Sequence, residues 1–164
     1  MTTFRPPWWK GARGEWYVAT QVVLFVLVAF GPKSISGWPA WSFLHTPIPT
    51  MAGSFMLAAG FLLIIAGIWK LGENIAAVPY PKESAVLIES GPYRIVRHPM
   101  YSGAILMAFG WAFLIQGGLT FIYAGMLFVF FDLKARREEL WLRDRFSDYG
   151  EYQKRVNKLI PFVY

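Results

Sequence analysis

Four stretches of the chain are continuously apolar: residues 16–30, 51–69, 101–116 and 119–133. A bilayer core is crossed by about 20 helical residues, with about 17 to 25 tolerated. The second stretch meets that length by itself. The first is short, bounded by Glu15 and by Gly31-Pro32, and crosses only with help from flanking aromatics or a locally thinned bilayer. The third and fourth are separated only by Gly117-Gly118, which predicts a tight antiparallel hairpin in preference to one long helix interrupted by glycines. The expectation is an all-α integral membrane protein with four transmembrane helices, at about 16–31, 51–70, 100–116 and 119–135, and a cytoplasmic C-terminal helical cap. Residues 1–164 form a single membrane domain in this reading, with 1–70 supplying an N-terminal arm and two spans, and 71–164 the remainder.

Small residues recur inside two of these stretches. Ala-Gly pairs stand at Ala52-Gly53, Ala59-Gly60 and Ala66-Gly67, and glycines at Gly103, Gly110 and Gly117, each row repeating every seven residues. In lipid, helices associate by close backbone approach along such rows. The second and third spans are therefore expected to pack together, with Gly60 near Gly110.

Charge settles the expected orientation. Arg5, Lys10 and Arg13 precede the first span; Lys70, Lys82, Arg94 and Arg97 lie between the second and third; eight further basic residues follow the fourth. The first loop carries only Lys33 and the third none. Four spans put every basic cluster on one side, which the positive-inside rule makes cytoplasmic, with both termini there. The 55% hydrophobic and 18% aromatic content and mean hydropathy of +0.38 exceed what a soluble domain of this length hides. The net charge of +6 therefore reads as affinity for anionic headgroups rather than for nucleic acid. Trp8, Trp9 and Trp16 suit the headgroup layer, and no A-x-A pattern follows Phe30, so the first span is expected to be retained. The chain has no cysteine, which excludes disulfides, thiolate metal sites and cysteine nucleophiles. His45 and His98 are far apart, no structural metal site is expected, and His45 reads as a surface residue.

The segment GPYRIVRHPMYSG, residues 91–103, gathers Tyr93, Arg94, Arg97, His98 and Tyr101 around Pro99. Proline is favoured at a first helical position, where its missing N–H would have no partner, so His98-Pro99 predicts a helix start. The free N–H groups and positive dipole end there suit an anion, with Arg94 or Arg97 beside it. Upstream, LGENIAAVPYPKES reads as irregular and AVLIES as extended. Beyond the hairpin the fourth helix is expected to continue to about Phe146. Lys134 and Glu138, four apart, share a face of it, whereas Glu139 points elsewhere. Phe146, Tyr149, Tyr152 and Val156 then predict an amphipathic helix folded back under the bundle, ended by Leu159-Ile160-Pro161-Phe162. Each residue has an ordinary explanation alone: topology signal, interfacial aromatic, cap, or solvated i,i+4 pair. Those explanations do not account for all of them on one membrane face.

This set resembles the isoprenylcysteine carboxyl methyltransferase family and its wider bacterial and phospholipid methyltransferase relatives. The motifs that carry it are GPYRIVRHPMYSG, the hairpin, Glu138-Glu139, Phe146, the spaced tyrosines and the closing Leu159-Ile160-Pro161, over residues 71–162. The resemblance implies methyl transfer from S-adenosylmethionine, leaving S-adenosylhomocysteine, to an acceptor dissolved in the bilayer. It implies cofactor contacts at Ala85, Val86, Leu87, Ile88, Tyr93, Arg97, His98, Pro99, Met100, Tyr101 and Glu138, with Lys134 and Tyr101 as the catalytic candidates and no metal. Lys134 stands where the eukaryotic enzymes carry an arginine near the acceptor; it keeps the charge but loses the bidentate fork.

The residue types match those demands. A carboxylate wants N–H donors or arginine, an ammonium wants a carboxylate such as Glu138, and a sulfonium tolerates an aromatic face as other cations do. An acceptor carboxylate is already ionised at neutral pH, whereas an amine must first lose a proton. The basic surroundings of Lys134 therefore favour a carboxylate or another anionic amphiphile, in a lipophilic or lipidated acceptor. Two alternatives stand: an NADPH-dependent membrane reductase related to sterol reductases, and a non-catalytic membrane scaffold.

Overall fold

The computed structural model describes residues 14–35, 47–75, 78, 80–81 and 84–164; Trp8, Trp9 and His45 lie outside these. The described residues form five helices: α1 (Glu15–Phe30), α2 (Pro47–Leu71), α3 (Pro99–Ile115), α4 (Gly118–Arg145) and α5 (Tyr149–Arg155). Two short 3-10 turns occupy Gly72–Asn74 and Gly91–Arg94. Among the described residues there is no strand, only an isolated parallel bridge between Val96 and Asn157. α2 begins four residues before the expected position, because Pro47 and Pro49 fall in a first turn whose N–H groups have no intrahelical acceptor to lose.

α2 and α4 are long and apolar enough to cross a membrane, while α1 and α3 are shorter apolar helices. The bundle is apolar outside as well as inside. Phe30 is 83% exposed, Phe55 73% and Trp69 87%, an outward surface that a soluble monomer rarely presents. The inner core joins α1, α3 and α4 through Leu24, Val28, Ile105, Ala108, Ala124, Leu127 and Phe131, with Leu159 of the C-terminal tail packed among them.

The glycine rows of α2 and α3 face each other rather than outward. Their register differs from the expected one by one seven-residue step: Gly60 meets Gly103, and Gly53 meets Gly110. A Cβ on Gly60 would lie 2.6 Å from the Gly103 carbonyl oxygen, and one on Gly110 2.8 Å from that of Gly53. Periodicity fixes which faces meet but leaves the offset free. The same close interface continues to the start of α3, where Gly67 packs on Met100 and Pro99.

α3 ends at Gln116 in a left-handed conformation, φ 53°, and α4 begins after Gly117, giving the expected hairpin. α4 runs on to Arg145, α5 turns back, and the tail returns beside residues 96–98. There the Arg97 N–H donates to Asn157 O at 2.8 Å and the His98 N–H to Lys158 O at 3.1 Å. The Ser102 hydroxyl donates to Leu159 O at 2.6 Å. The tail thus fastens the beginning of α3 to the far end of the chain.

Candidate functional site

A cavity of about 410 Å³ opens between the start of α3 and the continuation of α4, within the range of small-molecule sites. Its wall includes all twelve cofactor and catalytic candidates that the resemblance implies: Ala85, Val86, Leu87, Ile88, Tyr93, Arg97, His98, Pro99, Met100, Tyr101, Lys134 and Glu138. Pro99 takes the first helical position of α3, as its missing N–H predicts, so His98 and Tyr101 flank the helix start. Residues 85–88 form the facing wall as non-helical chain, anchored by the Val86 N–H donating to Asn74 Oδ1 at 3.0 Å.

Tyr101 is the hub. Its ring stacks on His98 at 5.2 Å and on Phe131 at 4.7 Å between centroids, and its hydroxyl donates to Glu138 Oε2 at 2.6 Å. The His98 imidazole lies between the two acidic residues, with Nδ1 3.9 Å from Glu138 Oε2 and Nε2 3.2 Å from Glu139 Oε1. α3 and α4, forty residues apart in sequence at these points, therefore meet through one imidazole and one phenol.

Glu139 points away from the face shared by Lys134 and Glu138, as expected: it is absent from the cavity wall and lines the far side of α4. It is buried there, accepting from Arg97 Nε at 2.8 Å and from Gln153 Nε2 at 2.8 Å. Two expectations change. Arg97 borders the cavity, but its guanidinium is engaged by Glu139 and by the carbonyls of Gln153 and Val156, so it braces the fold. Arg94 is exposed and is absent from the cavity wall. Lys134 and Glu138 share the cavity face, as expected, but do not form the solvated pair that is their ordinary explanation. Lys134 is buried, donates to Gln21 Oε1 of α1 at 2.5 Å, and lies 5.0 Å from the centre of the Tyr101 ring. Among the described residues no carboxylate comes within 4.0 Å of its ammonium group.

The remaining wall was only partly visible in the sequence. α1 contributes Val18, Gln21 and Phe25; Gln21 was not singled out, although one amide inside an apolar run is costly in lipid and so marks a contact. α5 contributes Tyr149 and Tyr152. The Tyr152 hydroxyl donates to Tyr93 O at 2.6 Å, whereas the Tyr149 hydroxyl is buried with no hydrogen-bond partner among the described residues. A buried hydroxyl without a partner costs stability, and this one borders the cavity. Burial pushes the phenol pKa values of Tyr93, Tyr149 and Tyr152 well above the ordinary value, so each is neutral and able to donate at physiological pH. Among the described residues no acidic or histidine cluster has the grouping of a metal site.

The class these observations define is an apolar helical bundle with a buried imidazole between paired carboxylates beside a cavity of small-molecule size. The sequence profile of the phospholipid methyltransferase family matches residues 48–149, and the chain belongs to that family. A probable protein-S-isoprenylcysteine O-methyltransferase of Oryza sativa subsp. indica is 37% identical over 79 residues, 47% of this chain and 41% of that protein. The methanethiol S-methyltransferase of Pseudomonas deceptionensis is 28% identical over 169 residues, 94% of this chain and 63% of that protein. A steroid 5-alpha-reductase of Gossypium hirsutum is 27% identical over 115 residues, 65% and 42% of the two chains. The chain thus spans about half the length of the curated relatives it matches.

Proposed function

We propose that the chain is an S-adenosylmethionine-dependent methyltransferase embedded in a membrane and acting on a lipophilic acceptor, with a carboxylate or other anionic amphiphile favoured. In this reading α1 to α4 all cross the bilayer within one domain, and both termini lie on the cytoplasmic side with the basic clusters and α5. The observation that carries the reading is the cavity wall, where the start of α3 and the polar continuation of α4 present an aromatic hub, a carboxylate and a buried ammonium to one small volume.

The residues present fit the cofactor. Both neighbours of Glu138 approach Oε2, leaving Oε1 to accept from an ammonium group. The first N–H groups of α3, at Met100 and Tyr101, have no intrahelical acceptor and suit a carboxylate. Val86, Leu87, Ile88 and Tyr93 offer an apolar slot for a purine, and the Tyr149 hydroxyl has a hydrogen bond to give. S-adenosylmethionine, when bound, supplies an electrophilic methyl group on a cationic sulfur. Lys134 then holds an anionic acceptor head by charge, while Tyr101, positioned by His98, Phe131 and Glu138, fixes the alignment on which in-line displacement depends. α1 shields this end of the cavity with Val18 and Phe25, and exclusion of water strengthens each of these contacts.

Calorimetric titration with S-adenosylhomocysteine tests the reading. Glu138→Ala is expected to weaken binding by about 1.5–3 kcal/mol, the range of a charge-assisted hydrogen bond, or roughly 10- to 150-fold. The similarity to a steroid reductase favours one competitor, and the same titration with a reduced nicotinamide dinucleotide separates them. Binding of the dinucleotide and not of S-adenosylhomocysteine would establish the reductase.

A further inference from the structure

A second, larger depression of about 1020 Å³ lies on the opposite side of α4, between that helix and the C-terminal tail. Six cations border it, Arg97, Arg136, Arg137, Arg143, Lys154 and Lys158, against one carboxylate, Glu139. Much of this charge is locally matched. Glu139 holds Arg97, Asp132 is shared by Arg136 and Lys158, and Glu151 holds Lys154. Arg143 donates to a neutral amide, Gln153 Oε1, at 2.6 Å, and Arg137 lies over the Trp141 ring at 4.9 Å. Counting these partners, six positive charges face three negative ones.

The depression is apolar as well as basic. Leu133 and Leu140 line it, and both are exposed on α4, continuing a stripe of exposed residues that runs up the same helix through Val129 and Met126. An unmatched positive region that opens onto an apolar stripe has the complement of a molecule with an anionic head and a long hydrocarbon tail. We infer that this groove binds an anionic phospholipid, its phosphate near Arg137 and Arg143 and one acyl chain along Leu133, Val129 and Met126. The site is separate from the cavity of the proposed reaction, and its lipid is a bound ligand rather than the methyl acceptor. Anionic lipid surfaces attract each juxtamembrane Lys or Arg by about 1 kcal/mol, so even the two unmatched arginines select charge. The inference rests on the membrane placement proposed above.

The test uses the full chain purified in detergent, with the thermal unfolding midpoint followed as phosphatidylglycerol, phosphatidylcholine or inorganic phosphate is added. Phosphatidylglycerol at about 100 times its apparent Kd is expected to raise the midpoint by roughly 5–10 °C, and phosphatidylcholine to leave it near the lipid-free value. Arg137→Gln with Arg143→Gln, compared with its own lipid-free midpoint, is expected to lose about 30-fold in phosphatidylglycerol affinity, from about 1 kcal/mol for each side chain. Equal shifts with both lipids, or full phosphatidylglycerol response in the double variant, would overturn the site. A matching shift from inorganic phosphate would assign the groove to a free anion instead. S-adenosylhomocysteine affinity is expected to be unchanged in the double variant, and release of the protein from membranes by alkaline wash without detergent would count against the membrane placement itself.

Discussion

The two members of the acidic doublet are adjacent in sequence and opposite in role, and a pair of substitutions separates them. Glu139 is the only carboxylate within 4.0 Å of Arg97 among the described residues. Both side chains are 10% exposed. Removing Glu139 leaves a buried guanidinium with two carbonyls and no counter-charge, and also strips partners from His98 and Gln153. Breaking a buried pair by deleting one member costs about 3–5 kcal/mol. For a chain of this size that corresponds to a drop in unfolding midpoint of roughly 6–20 °C. Glu138 carries a smaller structural load, accepting only from the Tyr101 hydroxyl with His98 at 3.9 Å, so Glu138→Ala should cost about 1 kcal/mol or less. Thermal unfolding in detergent, read by tryptophan fluorescence, measures both. Arg97→Met combined with Glu139→Leu should recover a substantial part of the loss, because no charge is then left buried alone. A midpoint for Glu139→Ala within about 2 °C of wild type, or a larger loss for Glu138→Ala, would refute the assignment of bracing to one residue and ligand contact to the other.

Three further outcomes follow from the same geometry. Tyr149→Phe removes an unpartnered buried hydroxyl, so it should raise the unfolding midpoint of the ligand-free protein while weakening S-adenosylhomocysteine binding by about 0.5–1.5 kcal/mol; a loss in both would mean the hydroxyl is simply structural. Gly60→Ala should destabilise by about 1–3 kcal/mol through overpacking, since its Cβ meets the Gly103 carbonyl, whereas Gly125→Ala, with nothing within 4 Å, should be neutral or stabilising by up to about 1 kcal/mol. The raised phenol pKa values of Tyr93, Tyr149 and Tyr152 favour the protonated folded state. Their contribution is fully present below the unfolded value near pH 10 and is lost above it, by up to about 1.4 kcal/mol per pH unit for each phenol. Unfolding midpoints measured between about pH 8 and 12 should hold and then fall, and a curve flat throughout that range would contradict the burial of these rings.

What was legible in the sequence, and what was not, divides along physical lines. Gly117-Gly118 announced the hairpin because a chain reversal between two apolar runs has few other solutions. His98-Pro99 announced the helix start for the same kind of local reason. The glycine rows announced which faces meet, but not that Gly60 pairs with Gly103, because the offset between two repeating rows is a tertiary fact that no period contains. Glu139 faces away from Glu138, as neighbours about 100° apart around a helix must, but its burial was not legible, because α5 and the tail enclose that side of α4 only through tertiary packing. Lys134 and Glu138 share the cavity face that their i,i+4 spacing predicts, but the ammonium bonds Gln21, more than a hundred residues away in sequence, which no local spacing announces.

That long-range pair bears on how the proposed chemistry varies. The family profile covers residues 48–149 and so includes the start of α3, the facing wall at 85–88 and the whole of α4, but not α1. Under the proposed function, the groups suited to the cofactor fall mostly inside that range: Glu138, His98, Tyr101 and the slot at Val86 to Ile88. The groups around the Lys134 ammonium, Gln21 with Val18 and Phe25, come from α1. An ammonium bonded to a neutral amide, with no carboxylate within 4.0 Å among the described residues, is left in no tight ion pair and so suits an anion, whereas a carboxylate at position 21 would neutralise it internally. Under the proposed function, the selection between anionic and neutral acceptors would therefore be made partly on α1, outside the motif at the start of α3. Two chains sharing the RHPMY segment would be free to differ in acceptor without altering a residue of it.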